Sequence, residues 1–428
     1  MNSTLARVVF ETGAKLRNPT LFDQYDYLKS TEWLSRQKLE EIQLENASKF
    51  LTFAGKYSPF YKECFNKVGF KPSGLSDVAE LRALPEINKA TLIRENSAIH
   101  ATSLAEKLSL AETSGTSGEA LAFYRNERWD SMNRAALMRS YDWYGVKPWD
   151  QNGYLWGYNI GRSQARKIRI LDAIQNRFRL FRYSEVEIKD FCRKLSNANF
   201  LSGYSSMVYE VAKRINELNL GPLPLKLVKG TSEMILDAYH TESVEAFGRK
   251  ITSEYGAAES GLIAFECPEG GIHINIENII LEENSDGDLL VTNLVSHSFP
   301  IIRYRLGDMV TLAEGECTCG RKHPLIQSIV GRKGANVIGL EGTYPALTFY
   351  YVFKNLALES NILLNYKAVQ DFKGKVDIFI EGEGNYQFEK DIDHQLKKYF
   401  RDDVFFRIIY LEQLPIEMKK RQYFESNI

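Results

Sequence analysis

Apolar residues recur at helical spacing through STEWLSRQKLEEIQLENASKFLTFA (30–54), and the pattern predicts that residues 1–60 are largely helical. Ser30 or Thr31 stands where a cap belongs, ahead of Trp33 and Leu34, the first periodic positions. From 108 to 125 the pattern becomes strand, polar loop, strand. A helix follows from Glu127 to Tyr144, with Gly145 as its stop. YLWGYNIG (154–161) reads as an aromatic strand and turn, and 185–219 as helices around the short NFLSGYSS.

PLKLVKGTSE (224–233) and RKITSEYGAAES (249–260) each run from a strand into a loop, with the helical LDAYHTESVEAFG between them. This strand–helix–strand order predicts parallel pairing in an α/β layer. From 271 to 312 the chain turns to short β segments: IHINIENIILEE, DLLVTNLV and IIRYRLGDMVTL. RKGAN (332–336) breaks the pattern and marks a boundary. Beyond it NYKAVQD, KVDIFIEG, a helix at 386–400 and VFFRIIYLEQLP make an α+β unit. The expected fold class is therefore α/β. A large domain over 1–332 carries mixed sheets, helices and a β-rich subdomain, and a small α+β domain covers 333–428. A chain of 428 residues is too long for one ordinary core, which agrees with such a division.

Composition removes several function classes. Basic and acidic residues number 54 and 55, a balance that argues against a nucleic-acid partner or a membrane-surface field. No apolar run reaches the roughly 20 residues of a membrane helix. MNSTLARVVFETGAKLRNP lacks the apolar middle of a signal peptide, so a cytoplasmic location is expected. Five cysteines, an odd number, do not make a disulfide scaffold in so long a chain; reduced thiols or metal ligands are the readings left. The charge balance fails locally at 162–182, where Arg162, Arg166, Lys167, Arg169, Arg177, Arg179 and Arg182 face one acid, Asp172. Arg162, Arg166 and Arg169 share a helical face. That face is either simply solvated or a dock for an anionic partner.

The polar loop inside AETSGTSGEALAFYR (111–125) is rich in small residues whose backbone N–H groups and hydroxyls suit phosphate oxygens. Gly115 and Gly118 allow close backbone approaches. No Gly-Lys-Ser/Thr follows, and a strand rather than a helix comes next, so this is not the usual P-loop. Alone, the stretch is equally compatible with a polar hairpin turn. Downstream, in order, stand YGAAE (255–259), YRLGD (304–308), GR (331–332) and a basic pair in LPIEMKKRQYF (414–424).

With these motifs the chain resembles the adenylate-forming enzymes, and within them the phenylacetate–CoA ligase family with its CapK-like branch in capsular polysaccharide biosynthesis. The resemblance implies a large adenylate-forming domain over 1–332 and a mobile C-terminal domain over 333–428. It implies ATP and Mg²⁺: a small carboxylic acid attacks the α-phosphorus and pyrophosphate leaves, so the protein must screen charge and hold two anions close. It assigns Ser114, Gly115, Thr116, Ser117 and Gly118 to the phosphates and Glu259 to the magnesium, as suits a hard oxygen ligand. Asp308 takes the ribose hydroxyls, which a pure acceptor fits. Tyr255 and Gly256, with Ser232 and Glu233 opposite, take the adenine. Arg332 contacts ribose or phosphates, and Lys420 reaches the α-phosphate and the acid. Trp156, Tyr158, Gly203 and Tyr204 match stretches near the acyl pocket, although aromatics are equally common as core. Three positions depart from the pattern: Ala258 replaces a usual Ser or Thr, Gly334 stands at an acidic hinge pair, and Lys419 stands where the family has Gly.

Cys267 and His273 in CPEGGIH, with Cys317 and Cys319 in ECTCGR, supply three thiolates and an imidazole, the ligands of a closed, structural zinc site. Four unrelated reduced residues remain the alternative. Similar Cys and His positions occur in the resembled family. The activity implied is acyl transfer from the adenylate to a thiol such as coenzyme A. Adenylyl transfer to a coenzyme, acyl transfer to a sugar or amine, and nucleotide binding without catalysis stay open. The six histidines show no Ser/His/Asp setting for a hydrolase.

Overall fold

The computed structural model describes residues 3–428 except 105, 114–120, 156–161, 182–183, 333–335, 347, 361, 363, 385 and 416–422. At 162–166, 330–332, 345, 354, 357–358 and 386–387 the backbone alone is described. The helical N-terminal region is a series of separate helices: α1 (Ser3–Arg17), α2 (Leu21–Thr31), α3 (Arg36–Tyr57) and α4 (Pro59–Val68). The expected cap is corrected here. Ser30 and Thr31 lie inside α2, where their hydroxyls turn back to the Tyr27 and Leu28 carbonyls. Ser35 caps α3 instead, with extended backbone and its hydroxyl accepting from the Lys38 N–H. Ser58 caps α4, with Pro59 at the first helical position.

After α5 (Lys89–Arg94) and α6 (Asn96–Ile99) come the expected strands β1 (Leu108–Glu112) and β2 (Ala122–Asn126). Next is α7 (Glu127–Asp142), ending two residues short of Tyr144. Then follow β3 (Asn152–Leu155), α8 (Arg162–Ile174), β4 (Arg177–Arg179), α9 (Glu185–Leu195), β5 (Phe200–Tyr204), α10 (Ser205–Glu217), β6 (Leu227–Thr231) and α11 (Asp237–Phe247). The β-rich stretch holds β7 (Thr252–Ala257), β8 (Gly261–Glu266), β9 (Ile272–Ile274), β10 (Ile279–Glu283), β11 (Leu289–Asn293), β12 (Ile301–Arg305), β13 (Asp308–Ala313) and β14 (Leu325–Arg332). Last come β15 (Asn336–Ile338), β16 (Thr343–Pro345), α12 (Thr348–Ser360), β17 (Tyr366–Phe372), β18 (Lys375–Glu381), α13 (Tyr386–Phe400), β19 (Phe405–Leu411) and β20 (Phe424–Ser426).

Two compact units share these elements. One comprises Met1–Gln151, Ala173–Asn176 and Thr252–Ile329; the other Asn152–Asp172, Arg177–Ile251 and Val330–Ile428. The expected 1–332 segment therefore contributes to both. In the first unit the strands run β13-β14-β9-β8-β7 in one sheet, β10-β11-β12 in another, and β1-β2 as a separate ribbon. Its core gathers Phe50, Phe123, Trp129, Phe299 and Ile301, all essentially buried.

In the second unit β6-β5-β3-β4 pair in parallel. Most of FLSGY and LVKGT is buried, as parallel strands covered on both faces require. A second sheet, β19-β18-β17-β20, packs with α12 and α13. Tyr239 and Tyr423 share a hydroxyl hydrogen bond at 2.9 Å, and Lys213 pairs with Glu381, so residues before 251 and after 330 close one core. No described helix is long and apolar enough to cross a membrane.

Candidate functional site

The base of the TSGTSG loop is the end of the β1–β2 ribbon. The Thr113 N–H donates to the Leu121 carbonyl at 2.9 Å, and the Leu121 N–H returns to the Thr113 hydroxyl at 3.0 Å. Ser114, Gly115, Thr116, Ser117 and Gly118 lie outside the described residues, as do Trp156, Tyr158 and Lys420. Arg332 ends β14, with its side chain likewise outside.

YGAAE occupies the end of β7 and the turn into β8. The register slips between Tyr255 and Gly256, and a Cβ on Gly256 would fall 2.3 Å from the Gly261 carbonyl oxygen, so only glycine fits that bulge. Tyr255 is nearly buried and its hydroxyl donates to Asp308 Oδ2 at 3.0 Å. Glu259 is 3 % exposed, and the Tyr304 hydroxyl donates to its Oε1 at 2.9 Å. Among the described residues nothing hydrogen-bonds its second oxygen. The Arg125 Nη2 donates to the Ala258 carbonyl at 2.7 Å. YGAAE and YRLGD, some fifty residues apart in sequence, thus meet through two tyrosine–carboxylate pairs.

Local backbone chemistry holds β12 in place. Arg303 has φ +48°, and its guanidinium is spent on Glu282 and the Leu84 carbonyl. Ile87 bonds the backbone on both sides of Tyr304, accepting from Arg305 and donating to Arg303. Gly307, at φ +81°, makes the turn that delivers Asp308. A buried carboxylate with one oxygen fixed is a hard ligand for a divalent cation.

The Cys267, His273, Cys317 and Cys319 ligand atoms all lie within 4.8 Å of one another. Cys267 Sγ sits 3.6 Å from Cys317 Sγ, and Cys319 Sγ 3.2 Å from His273 Nε2. Metal–sulfur bonds of about 2.3 Å and metal–nitrogen bonds of about 2.0–2.1 Å put neighbouring ligand atoms roughly 3.5–3.8 Å apart in a tetrahedron. The turn is shaped for this cluster: a Cβ on Gly271 would fall 2.6 Å from Cys317 Sγ and 3.3 Å from His273 Nε2. No cysteine is in a disulfide. Burial, with the charges of His323, Arg321 and Arg139, pushes His273 down to about 3, so its imidazole is neutral and able to ligate. Burial pushes Cys267 up to about 12. At Cys319 burial acts the same way, but hydrogen bonds from the Arg321 backbone and side chain outweigh it and favour the thiolate. Four ligands of this kind can hold a metal ion.

In the second unit Ser232 adopts φ +65°, and the Glu233 carboxylate accepts from the Ser206 N–H at 2.8 Å, capping α10. Gly203 lies where a Cβ would meet the Leu155 carbonyl oxygen at 2.3 Å, and Tyr204 leads into α10 half-buried. The basic run is less bare than its sequence suggests. Asp172 is buried and pairs with Arg177 at 2.5 Å and Arg179 at 2.9 Å, which neutralises it.

Comparison with known proteins puts this geometry in context. No family model matches the chain. Protein CapK of Staphylococcus aureus is 26% identical over 318 residues, covering 69% of this chain and 68% of CapK. A phenylacetate–coenzyme A ligase of Thermus thermophilus is 24% identical over 335 residues, covering 72% and 73%. Among solved structures, 2-hydroxyisobutyryl-CoA ligase in the postadenylation state with 2-HIB-AMP superposes with a TM-score of 0.73 at 16% identity, over 93% of this chain and 91% of that one. Its open conformation with 2-HIB-AMP and CoA gives 0.62 at 16% identity, over 92% and 93%. An acyl acid amido synthetase in complex with 2,4-DB gives 0.59 at 12% identity, over 90% and 89%.

The fold is that of the adenylate-forming enzymes. The similarity to the phenylacetate–CoA ligase family implied by the motifs is borne out by these relatives. Three residues that bond these motifs were given no role in the reading of the sequence: Thr113, Arg125 and Tyr304. Tyr304 sits inside YRLGD and was visible there, whereas Arg125 is one basic residue ending an apolar strand and carries no sequence signal.

Proposed function

We propose that the chain activates a small carboxylic acid with ATP, through an acyl-adenylate, and passes the acyl group to a thiol, most simply coenzyme A. The observation that carries this reading is the pairing of Tyr255 with Asp308 and of Tyr304 with Glu259, which joins two adenylation motifs. Glu259 would hold the magnesium of MgATP through the oxygen Tyr304 leaves open, and Asp308 would receive the ribose hydroxyls. Held there, magnesium would screen the phosphate charge that repels an incoming carboxylate. Ser114 to Gly118, Ser232, Glu233 and Arg332 complete the nucleotide contacts in this proposal, with Lys420 delivered by a mobile domain over 333–428. The Cys267, His273, Cys317 and Cys319 cluster would hold zinc, structurally, since four protein ligands leave no open position. A cytoplasmic location belongs to the same proposal.

A pyrophosphate-release screen over many carboxylic acids, with and without coenzyme A, tests it. Acid-dependent release and a thioester product are expected. A stable adenylylated coenzyme without acyl transfer, or ATP binding with no turnover on any acid, would overturn it. Lys420→Ala is expected to cut acid-dependent exchange roughly 10²–10³-fold, the scale of losing one charge-stabilising donor; unchanged exchange removes Lys420 from the chemistry.

A further inference from the structure

Arg125 joins two parts of the first unit that the chemistry needs to keep in register. It lies on β2, opposite Ser109 of β1, four positions beyond Leu121, whose bonds with Thr113 close the base of the TSGTSG loop. Its Nη2 donates to the Ala258 carbonyl at 2.7 Å, one peptide before Glu259. Its guanidinium carbon lies 5.6 Å from the ring centres of both Phe123 and Trp129, two fully buried side chains. Below it β2 is anchored, because the Asn126 N–H and side chain bond Ser298. A planar cation clamped on two core rings has little freedom, so its grip on the Ala258 carbonyl is rigid. Among the described residues it makes no ion pair with Glu259, whose Oε1 accepts from the Tyr304 hydroxyl, and so it adds positive field without occupying a carboxylate oxygen.

We infer that Arg125 is a positioning residue: it fixes the Ala258–Glu259 turn against the β1–β2 ribbon, so that the carboxylate meets the divalent cation of a nucleoside triphosphate complex. The inference rests on the proposed adenylation reading. It differs from a purely structural role in one respect. A structural arginine supports the fold equally with or without the cation, whereas a positioning arginine shows itself only when the cation bridges nucleotide and Glu259.

The test is ATP binding by calorimetry, in EDTA and at a series of Mg²⁺ concentrations, on wild type, Arg125→Met and Arg125→Lys, with thermal melts alongside. Arg125→Met is expected to weaken MgATP binding and raise the Mg²⁺ half-saturation about tenfold, the scale of one charge-assisted hydrogen bond, while binding in EDTA stays unchanged. Arg125→Lys keeps a cation over the rings and is expected to recover part of the loss. Equal weakening in EDTA and Mg²⁺, or a folded Arg125→Met with wild-type Mg²⁺ half-saturation, would overturn the role. If Arg125→Met fails to fold, Arg125→Lys carries the same readout. Wild-type protein that binds no MgATP at all would overturn the adenylation reading itself.

Discussion

A hydroxyl that donates to a buried carboxylate decides which of its oxygens stays open. At Glu259 that donor is Tyr304, at 2.9 Å. Removing it leaves Oε1 without its described partner and lets the carboxylate rotate in its site. Tyr304→Phe is expected to lower acid-dependent ATP–pyrophosphate exchange about tenfold, and Glu259→Gln roughly 10²–10³-fold, as befits loss of a charge-stabilising group. Equal exchange by wild type and a folded Tyr304→Phe would sink the role of the tyrosine. At this scale the sequence was informative where the described motif residues meet one another. Glu259, Asp308 and Tyr255 stand in contact with motif partners, and the Cys267, His273, Cys317 and Cys319 ligand atoms converge. Arg125 stayed hidden because its partner is a backbone carbonyl 133 positions away, and a carbonyl is the same on every residue.

Among the elements, the Cys267, His273, Cys317 and Cys319 cluster does more than close a turn. Arg321, two residues past Cys319, reaches Glu32 at the end of α2 at 2.7 Å and stacks 4.6 Å from both Trp33 and Trp143. The cluster thereby ties β9 and the loop after β13 to the N-terminal helices. With zinc at a thousandfold its Kd, binding adds about 4 kcal/mol to stability. At about 2–4 °C per kcal/mol, a chelator or Cys319→Ser should lower Tm by about 8–16 °C and release one zinc per chain. Protein purified without chelators that contains no zinc by elemental analysis would remove the metal. Elements were legible where the pattern was strong, as in strands β1 and β2 and in the β6–α11–β7 order, whereas β5 lay in a short segment read only as a break between helices. The α3 cap was misplaced for a local reason: Ser30 and Thr31 satisfy helix carbonyls rather than free N–H groups, and only the backbone at Ser35 distinguishes the two uses.

On the scale of the whole molecule, linear reading meets its limit, because it sees breaks along the chain and not returns of the chain to itself. Tyr423 bonds Tyr239 and Glu381 pairs with Lys213 inside one compact unit, contacts across RKGAN that no linear pattern displays. The other unit is joined the same way by a buried charge cluster. Arg139 pairs with Glu277 at 2.5 Å and bonds Asn275 and the Leu28 carbonyl, while Thr31 and His323 also bond Glu277. Arg139, Glu277 and His323 are almost fully buried, so α2, α7 and the β-rich stretch share one desolvated ion pair. Burial alone would raise the Glu277 pKa, but Arg139 and then His323 outweigh it and hold the carboxyl well below the usual range. A depressed carboxylate contributes stability that is present above its unfolded value, about 4.3, and is lost as pH falls toward the folded one. Burial likewise lowers His323, whose contribution is complete above about 6.5 and fades as pH falls through its folded value. Wild type should therefore lose stability progressively below pH about 6.5, and more steeply below about 4.3. Glu277→Gln leaves Arg139 a buried, unmatched charge, which costs about 3–5 kcal/mol at neutral pH. Its denaturant midpoint should fall accordingly, and its stability should change less than wild type's between pH 4.5 and 3, as read by urea melts across pH. A variant as stable as wild type at pH 7, or one that keeps the full acid-dependent loss, would show that this pair does not hold the unit together.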